Sequence, residues 1–398
     1  MLTHSLEFTP DRDDEIFAAV PAASAVFLLR GADASSEPYV SKTSNLRRRL
    51  HRLLGAPIER TKRLNLRQQV RHIEYSPTGS DFESGFLLYK TLREAFPAKY
   101  SERMRFRFAP LLKLHLENPY PRASVTTRLG RLNGASVYYG PFPSRAAAEQ
   151  FASDSLDFFK MRRCVDDLHP DPQFPGCIYS EMKMCLAPCF KGCTDEEYTQ
   201  EVGRVRNYFD SAGESLVREI SSARDSASSN LDFENAAALH SRIEKLKAIQ
   251  GRVPEIFGRI DHLHGLIVQP SANPGCVAFF RVRSAFISNP FDFSIQPAEH
   301  AKSQSTQVRS MESRVKAALH ASPPSHANNA LETSEHLAIL SRWFFRSRRL
   351  GEIFLEDANG ELPMRRLVRG ISRVFRGERP EQEATNALDA QPAPPSPT

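Results

Sequence analysis

Five of the six cysteines, Cys164, Cys177, Cys185, Cys189 and Cys193, fall within thirty residues, with Pro175, Gly176 and Pro188 bending the backbone between them. The opening MLTHSLEFTPDRDDEIF carries acids and no apolar run of a secretory leader. Reduced thiols in a cytoplasmic protein are therefore expected, and clustered thiols there read as metal-binding or catalytic rather than as a disulfide framework. Four thiolates converging on one point suit tetrahedral zinc and an iron–sulfur cluster equally well.

A second chemistry-bearing stretch is cationic. Between Lys42 and His72 stand Lys42, Arg47, Arg48, Arg49, Arg52, Arg60, Lys62, Arg63, Arg67 and Arg71, opposed only by Glu59. The whole chain of 398 residues nets +6 with a pI near 9.0, so the remainder is net negative. One end is a basic face suited to phosphate. A length of 398 residues implies two to four domains with ample core, and a mean hydropathy of -0.43 with no long apolar run argues against a membrane span.

The elements that must position these groups can be read from pattern. Ala25 to Leu29 reads as a short buried strand and Tyr39-Val40 as its return. Ser44 or Asn45 caps a helix to Leu54, with Leu46, Leu50, Leu53 and Leu54 on one face and arginines on the other. A helix from Glu83 to Phe96 stops before Pro97. Strands follow at 111–116 and 123–129, then a turn through Tyr139-Gly-Pro-Phe-Pro-Ser144 and a helix toward Cys164.

Thr194-Asp-Glu-Glu197 fits a capping box and opens a long helix expected to reach Ser229. Asn230-Leu-Asp232 makes a tight turn. The next helix, Phe233 to Gln250, spaces Ala236, Leu239, Ile243 and Leu246 as a seam, so the pair packs as an antiparallel hairpin. Strands at 265–269 and 277–282 and a helix over 331–348 make a further globular part. Between them 301–329 reads as low complexity, and the proline-rich tail from 379 as disordered.

These blocks together resemble the UvrC family, the incision component of the bacterial ABC excinuclease in nucleotide excision repair. Ala25-Val-Phe27 with Tyr39-Val-Ser41-Lys-Thr-Ser-Asn-Leu-Arg-Arg-Arg49 resembles the core of the GIY-YIG nuclease domain. The second block runs from Tyr139-Gly-Pro-Phe-Pro-Ser144 to Cys185-Leu-Ala-Pro-Cys189. The third, Asn230 to Ile243, is similar to the UVR motif shared by UvrB and UvrC. The resemblance covers roughly 22–375 and includes neither the family's ribonuclease-H-like nuclease nor its helix–hairpin–helix motifs. It implies an α+β multidomain chain: a lead-in over 1–21, a GIY-YIG-like domain over 22–101, a linker and cysteine region over 102–193, a UVR hairpin over 194–252, a C-terminal α/β region over 253–378 and a tail over 379–398.

The resemblance also implies a four-iron–four-sulfur cluster on Cys164, Cys177, Cys185 and Cys189, with Cys193 spare and zinc the alternative. Phe233, Ala236 and Leu239 become the surface for a UvrB-like helicase. Tyr39, Lys42 and Arg49 match nuclease positions, and Arg47, Arg48 and Arg52 flank them for DNA. Phe27 and Ser41 replace the tyrosine and glycine of the two signature tripeptides. Counted without gaps, the magnesium-ligand glutamate falls on Leu88 and a following asparagine on Tyr100. Glu83 and Glu94 lie five before and six after Leu88, off its helical face. Magnesium needs a hard oxygen ligand that leucine lacks. Three readings stand: a repair protein that binds DNA and UvrB without its own cutting; an active single-incision GIY-YIG endonuclease using magnesium; and a zinc-ribbon nucleic-acid binder unrelated to repair.

Overall fold

The computed structural model describes residues 2–33, 36–56, 64–132, 136–296, 310–325, 327 and 329–378. The proline-rich tail expected from 379 lies outside them, as do Arg60, Lys62 and Arg63 of the basic stretch.

The first unit contains β1 (His4–Glu7), α1 (Asp13–Ala19), β2 (Ala25–Gly31), β3 (Tyr39–Thr43), α2 (Leu46–Leu54), β4 (Val70–Pro77), α3 (Asp81–Ala95) and α4 (Tyr100–Met104). Its antiparallel sheet runs β1-β4-β2-β3. The opening residues are thus not a loose lead-in. β1 pairs along β4, and Phe8, Phe17 and Val20 join the core beneath α2. Asn45 caps α2 by accepting the Arg48 N–H, and its four leucines are buried. At about 2 kcal/mol for each buried leucine, that face anchors the helix and leaves the arginines to water.

The second unit holds β5 (Leu111–Leu114), β6 (Ala123–Thr126), β7 (Val137–Gly140), α5 (Arg145–Leu156), α6 (Ile178–Glu181) and α7 (Asp195–Asp210). The Thr194–Glu197 capping box is present in both directions. The helix it opens does not reach Ser229. Ala212 and Gly213 take φ of 47° and 95°, the Gly213 N–H closes on the Tyr208 carbonyl at 2.7 Å, and α8 (Glu214–Ser229) restarts from there. The left-handed pair is a helix stop that periodicity alone did not reveal. Tyr198, Val202, Val205, Tyr208 and Phe209 of α7 pack with β5, β7 and α5, so α7 belongs to this core. α8 and α9 (Phe233–Gln250) form the hairpin.

β8 (Gly258–Arg259) adds to the β6-β5-β7 sheet and leads into the third unit. There β9 (Gly265–Pro270), β10 (Cys276–Arg283), β11 (Phe286–Ile287), β12 (Phe291–Ser294), α10 (Met311–Ala321), α11 (Ala330–Phe344), β13 (Glu352–Leu355) and α12 (Met364–Phe375) surround an antiparallel sheet ordered β11-β10-β9-β13, with β12 also on β10. The stretch expected to be low complexity contains α10, held by buried Val315 and by Arg281, which donates to the Leu319 and Ser322 carbonyls. The units share interior. Phe82, Phe86 and Tyr89 of α3 pack in one cluster with Phe280, Trp343 and Ile353. Among the described residues no helix is long and apolar enough to cross a membrane.

Candidate nucleic-acid interface and cysteine centre

β3 and α2 bring Tyr39 and Arg49 together: Arg49 Nη2 donates to the Tyr39 hydroxyl at 2.8 Å, and its Nε is buried without a partner. Phe27 lies opposite Ser41 in the strand pair, its ring centroid 6.0 Å from that of Tyr39. Lys42, three residues along β3, forms an ion pair with Asp81 at the start of α3. The other flanking arginines are not equivalent. Arg48 and Arg52 are exposed. Arg47 donates to the carbonyls of Ala18 at 3.2 Å and Val20 at 2.8 Å, so its guanidinium fastens the end of α1 rather than facing a ligand. Arg47 is nonetheless exposed, whereas Arg67 is largely buried, bonded to Asp13 and to the carbonyls of Leu54 and Pro10.

The residues do not fit a bound magnesium ion. Leu88 is half-buried and supplies no oxygen. Glu83 accepts the Gly79 N–H at 2.7 Å, and burial, aided by Asp292, pushes its carboxyl up to about 7. Glu94 is exposed on α3, and Tyr100 donates to Glu335 at 2.7 Å. The carboxylate that does stand beside Lys42 is Asp81, seven residues before Leu88 and so two turns away on the same helical face. It is also bound by Arg346, from just beyond α11. Burial raises its pKa, but the hydrogen bonds and charges of these two cations win and hold it below the usual carboxylate range. Two cations against one carboxylate repel a divalent ion. Sequence reading missed Asp81 because it started α3 at Glu83. The local signal was Ser80, whose hydroxyl accepts the Glu83 N–H and makes Asp81 the first helical residue.

The cysteines gather at the base of α7. Cys185 is pushed up to about 11 by burial and then by the neighbouring thiols of Cys164, Cys189 and Cys177. Cys189 is raised by burial and then by Cys177. Cys193 answers instead to burial and to Glu197 and Asp195 of the first turn of α7, with Cys189 a lesser influence. Sulfur accepts at Cys185 from the Ala187 N–H at 3.3 Å and at Cys164 from Arg162 Nη1 at 3.5 Å. Arg162 is 1% exposed and is also tied to the carbonyls of Tyr120 and Asp166. A buried guanidinium against a sulfur offsets the negative charge that four thiolates bring, and sequence reading did not single it out. Among the described residues no three His, Cys, Asp or Glu side chains stand close enough to share one metal ion. The four thiols are neighbours rather than a closed cage. In number and softness they are the donors that a thiolate-held centre uses, but the structure does not bring them together around one point.

At the far end of the hairpin, Leu231 (φ 61°) and Phe233 are 73% and 64% exposed. The Asp232 N–H closes on the Ala227 carbonyl at 2.9 Å, and the Asp232 side chain accepts the Asn235 N–H at 3.2 Å. Burial increases toward the base, where Ile243 and Leu246 are fully buried. Of the two residues expected to lie behind Phe233, Ala236 is half-buried and Leu239 packs at the edge of the core beside Ile243. The tip therefore presents two large apolar side chains, of which the resemblance to the UVR motif pointed only to Phe233.

Comparison with known families bears on this same stretch. Residues 109–208 match the model of the UvrC/Cho excinuclease middle domain, and residues 214–249 match the UvrB/uvrC motif. Residues 109 to 249 are UvrC-like. The UvrABC system protein C of Rickettsia bellii is 29% identical over 58% of this chain and 36% of its own length. That of Idiomarina loihiensis is 28% identical over 54% of this chain and 34% of its own length, and that of Haemophilus ducreyi 26% over 67% and 43%. The chain thus spans well under half the length of these curated relatives. No solved structure matches it. The UvrC-like segment contains all five clustered cysteines and the whole hairpin, and the motif match begins at Glu214, where α8 begins.

Proposed function

We propose that this chain acts in nucleotide excision repair as a DNA-binding, UvrC-like protein whose N-terminal centre does not itself cut. The observation that supports this best is the state of the cleft on β3, α2 and α3. Hydrolysis of the GIY-YIG type needs a tyrosine to activate water, cations on the phosphate and a carboxylate for a divalent ion. Tyr39, hydrogen-bonded to Arg49, and Lys42 supply the first two. Leu88, the neutral-leaning Glu83 and the doubly paired Asp81 leave the third unfilled. A metal supplies several kcal/mol of charge stabilisation in such a reaction, so its loss abolishes turnover while leaving phosphate binding.

The remaining parts suit the same role. Leu231 and Phe233, an apolar tip ringed by polar residues, form the docking point for a UvrB-like helicase. Cys164, Cys177, Cys185 and Cys189 would hold a four-iron–four-sulfur cluster that braces the start of α7 against the segment after α5. A reducing cytoplasm suits its free thiols. A zinc-ribbon protein unrelated to repair would carry neither of the two matched modules.

A plasmid-nicking assay with and without magnesium and a UvrB-like helicase tests the reading. No cutting above background is expected from the unmodified chain. Leu88→Glu should bring magnesium-dependent nicking up from background, and Tyr39→Phe in that variant should abolish it. Magnesium-dependent cutting by the unmodified chain, lost on Tyr39→Phe, would establish an active endonuclease instead.

A further inference from the structure

The groove beside Lys42 has an unusual charge pattern. Four cations line it, Lys42, Arg107, Arg342 and Arg346, over a floor that includes Phe82 and Trp343, and its one carboxylate is Asp81. The two oxygens of Asp81 are divided between units: Oδ1 takes Lys42 Nζ from β3, and Oδ2 takes Arg346 Nη1 from beyond α11. The side chains of Lys42, Asp81 and Arg346 are 36%, 52% and 46% exposed, so water and solutes reach all three. Exposed pairs of this kind are weak and exchange readily. A phosphodiester presents two anionic oxygens much as a carboxylate does, and guanidinium and ammonium groups bind either.

We propose that Lys42 and Arg346 make one phosphate-binding site shared by the N-terminal and C-terminal units, and that Asp81 occupies it as an internal anion which nucleic-acid phosphate displaces. Arg107 and Arg342 carry the track along the groove, so the DNA path crosses from β3 onto α11 instead of ending at the arginine face of α2. Asp81 thereby acts as a selectivity filter. A lone anion cannot outcompete a tethered carboxylate, whereas a polyanion held at several neighbouring cations can. The inference rests on the reading that the chain binds DNA.

The test is the affinity of the full chain for a labelled duplex, measured by fluorescence anisotropy across a salt series. Asp81→Asn should bind about two- to fivefold more tightly at low salt, the factor expected from removing one exposed carboxylate that competes through weak surface pairs. Its log–log salt slope should steepen by about 0.9 for each phosphate newly contacted. Arg346→Gln added to Asp81→Asn should cancel the gain. Glu15→Gln, which changes net charge equally at the Arg12–Glu15 pair of α1, should leave affinity unchanged. Binding by Asp81→Asn equal to or weaker than the unmodified chain overturns the inference and leaves Asp81 a structural tie, with DNA binding intact. An equal gain in Glu15→Gln reduces the effect to net charge and overturns it as well. Binding by Asp81→Asn alone supports it in its strongest form, and no binding by either chain sinks both this inference and the DNA-binding reading.

Discussion

The N-terminal unit and the UvrC-like middle handle their chemistry-bearing residues in opposite ways. In the middle, the groups that matter are close in sequence, and short local devices place them: the Thr194 box starts α7 beside Cys189 and Cys193, and left-handed residues at Gly213 and Leu231 bound α8, the first helix of the hairpin. In the N-terminal unit, the groups come from β3, α2, α3 and a residue beyond α11. The N-terminal unit can keep its fold while its charged groups change partners, because they meet through single tertiary contacts such as that of Arg346 on Asp81.

The largest effect expected from breaking this contrast lies in the cysteines. Cys185→Ser removes the thiol that burial and its three neighbouring thiols push up to about 11, and should eliminate bound iron and the visible absorbance of anaerobically purified protein. Cys193→Ser, whose thiol answers to the acids of α7, should retain both. Iron and sulfide analysis of the two variants checks this. Colourless unmodified protein with stoichiometric zinc would replace the cluster by a zinc site. Next in size is the hairpin tip. Phe233→Ala should weaken binding of a UvrB-like helicase by about 2 kcal/mol or more without loss of helicity, because an exposed aromatic anchor contributes little to the fold. Titration calorimetry and circular dichroism together separate that outcome from collapse of the hairpin.

What could be read from the sequence follows the same division. The α2 leucines, the Asn45 cap, the Thr194 box and the inner seam of α9 depend on neighbours within a few residues, and each appears as the pattern requires. β1 and β4 went unread because their strand character lies in pairing: His4 to Glu7 meets Tyr75 to His72 across nearly seventy residues. α10 was hidden because what holds it is distant in sequence: Val315 is buried among residues of β9, β10 and α12, and Arg281 of β10 donates to the Leu319 carbonyl. The basic stretch was overcounted for the same reason. Charge is legible in sequence, but whether a guanidinium faces solvent or fastens a carbonyl, as Arg47 and Arg67 do, is a tertiary fact. Asp81 and Arg162, the two charges most closely coupled to the candidate centres, owe their roles to contacts that no spacing encodes.

The smallest expected effect sharpens the contrast from inside α3. Glu83 sits where the N-terminal unit meets β12, accepting the Gly79 N–H and facing Asp292, and burial pushes its carboxyl from 4.5 to about 7. Because the folded state holds this proton more tightly than the unfolded chain, the contribution is fully present below the unfolded value and is lost as pH rises through about 7. Stability should therefore fall by about 1 kcal/mol between about pH 6 and 7 from this group alone. His336, held near 3 by burial, works the other way: its share of stability rises with pH up to the ordinary histidine value of 6.5 and is flat above it. Urea unfolding from pH 6.5 upward thus isolates Glu83. Glu83→Gln should remove the decline there while leaving the rise below 6.5, and a slope that persists in Glu83→Gln would assign the titration to another group at the junction. A Gln side chain keeps an acceptor for Gly79, so the variant tests the charge rather than the hydrogen bond.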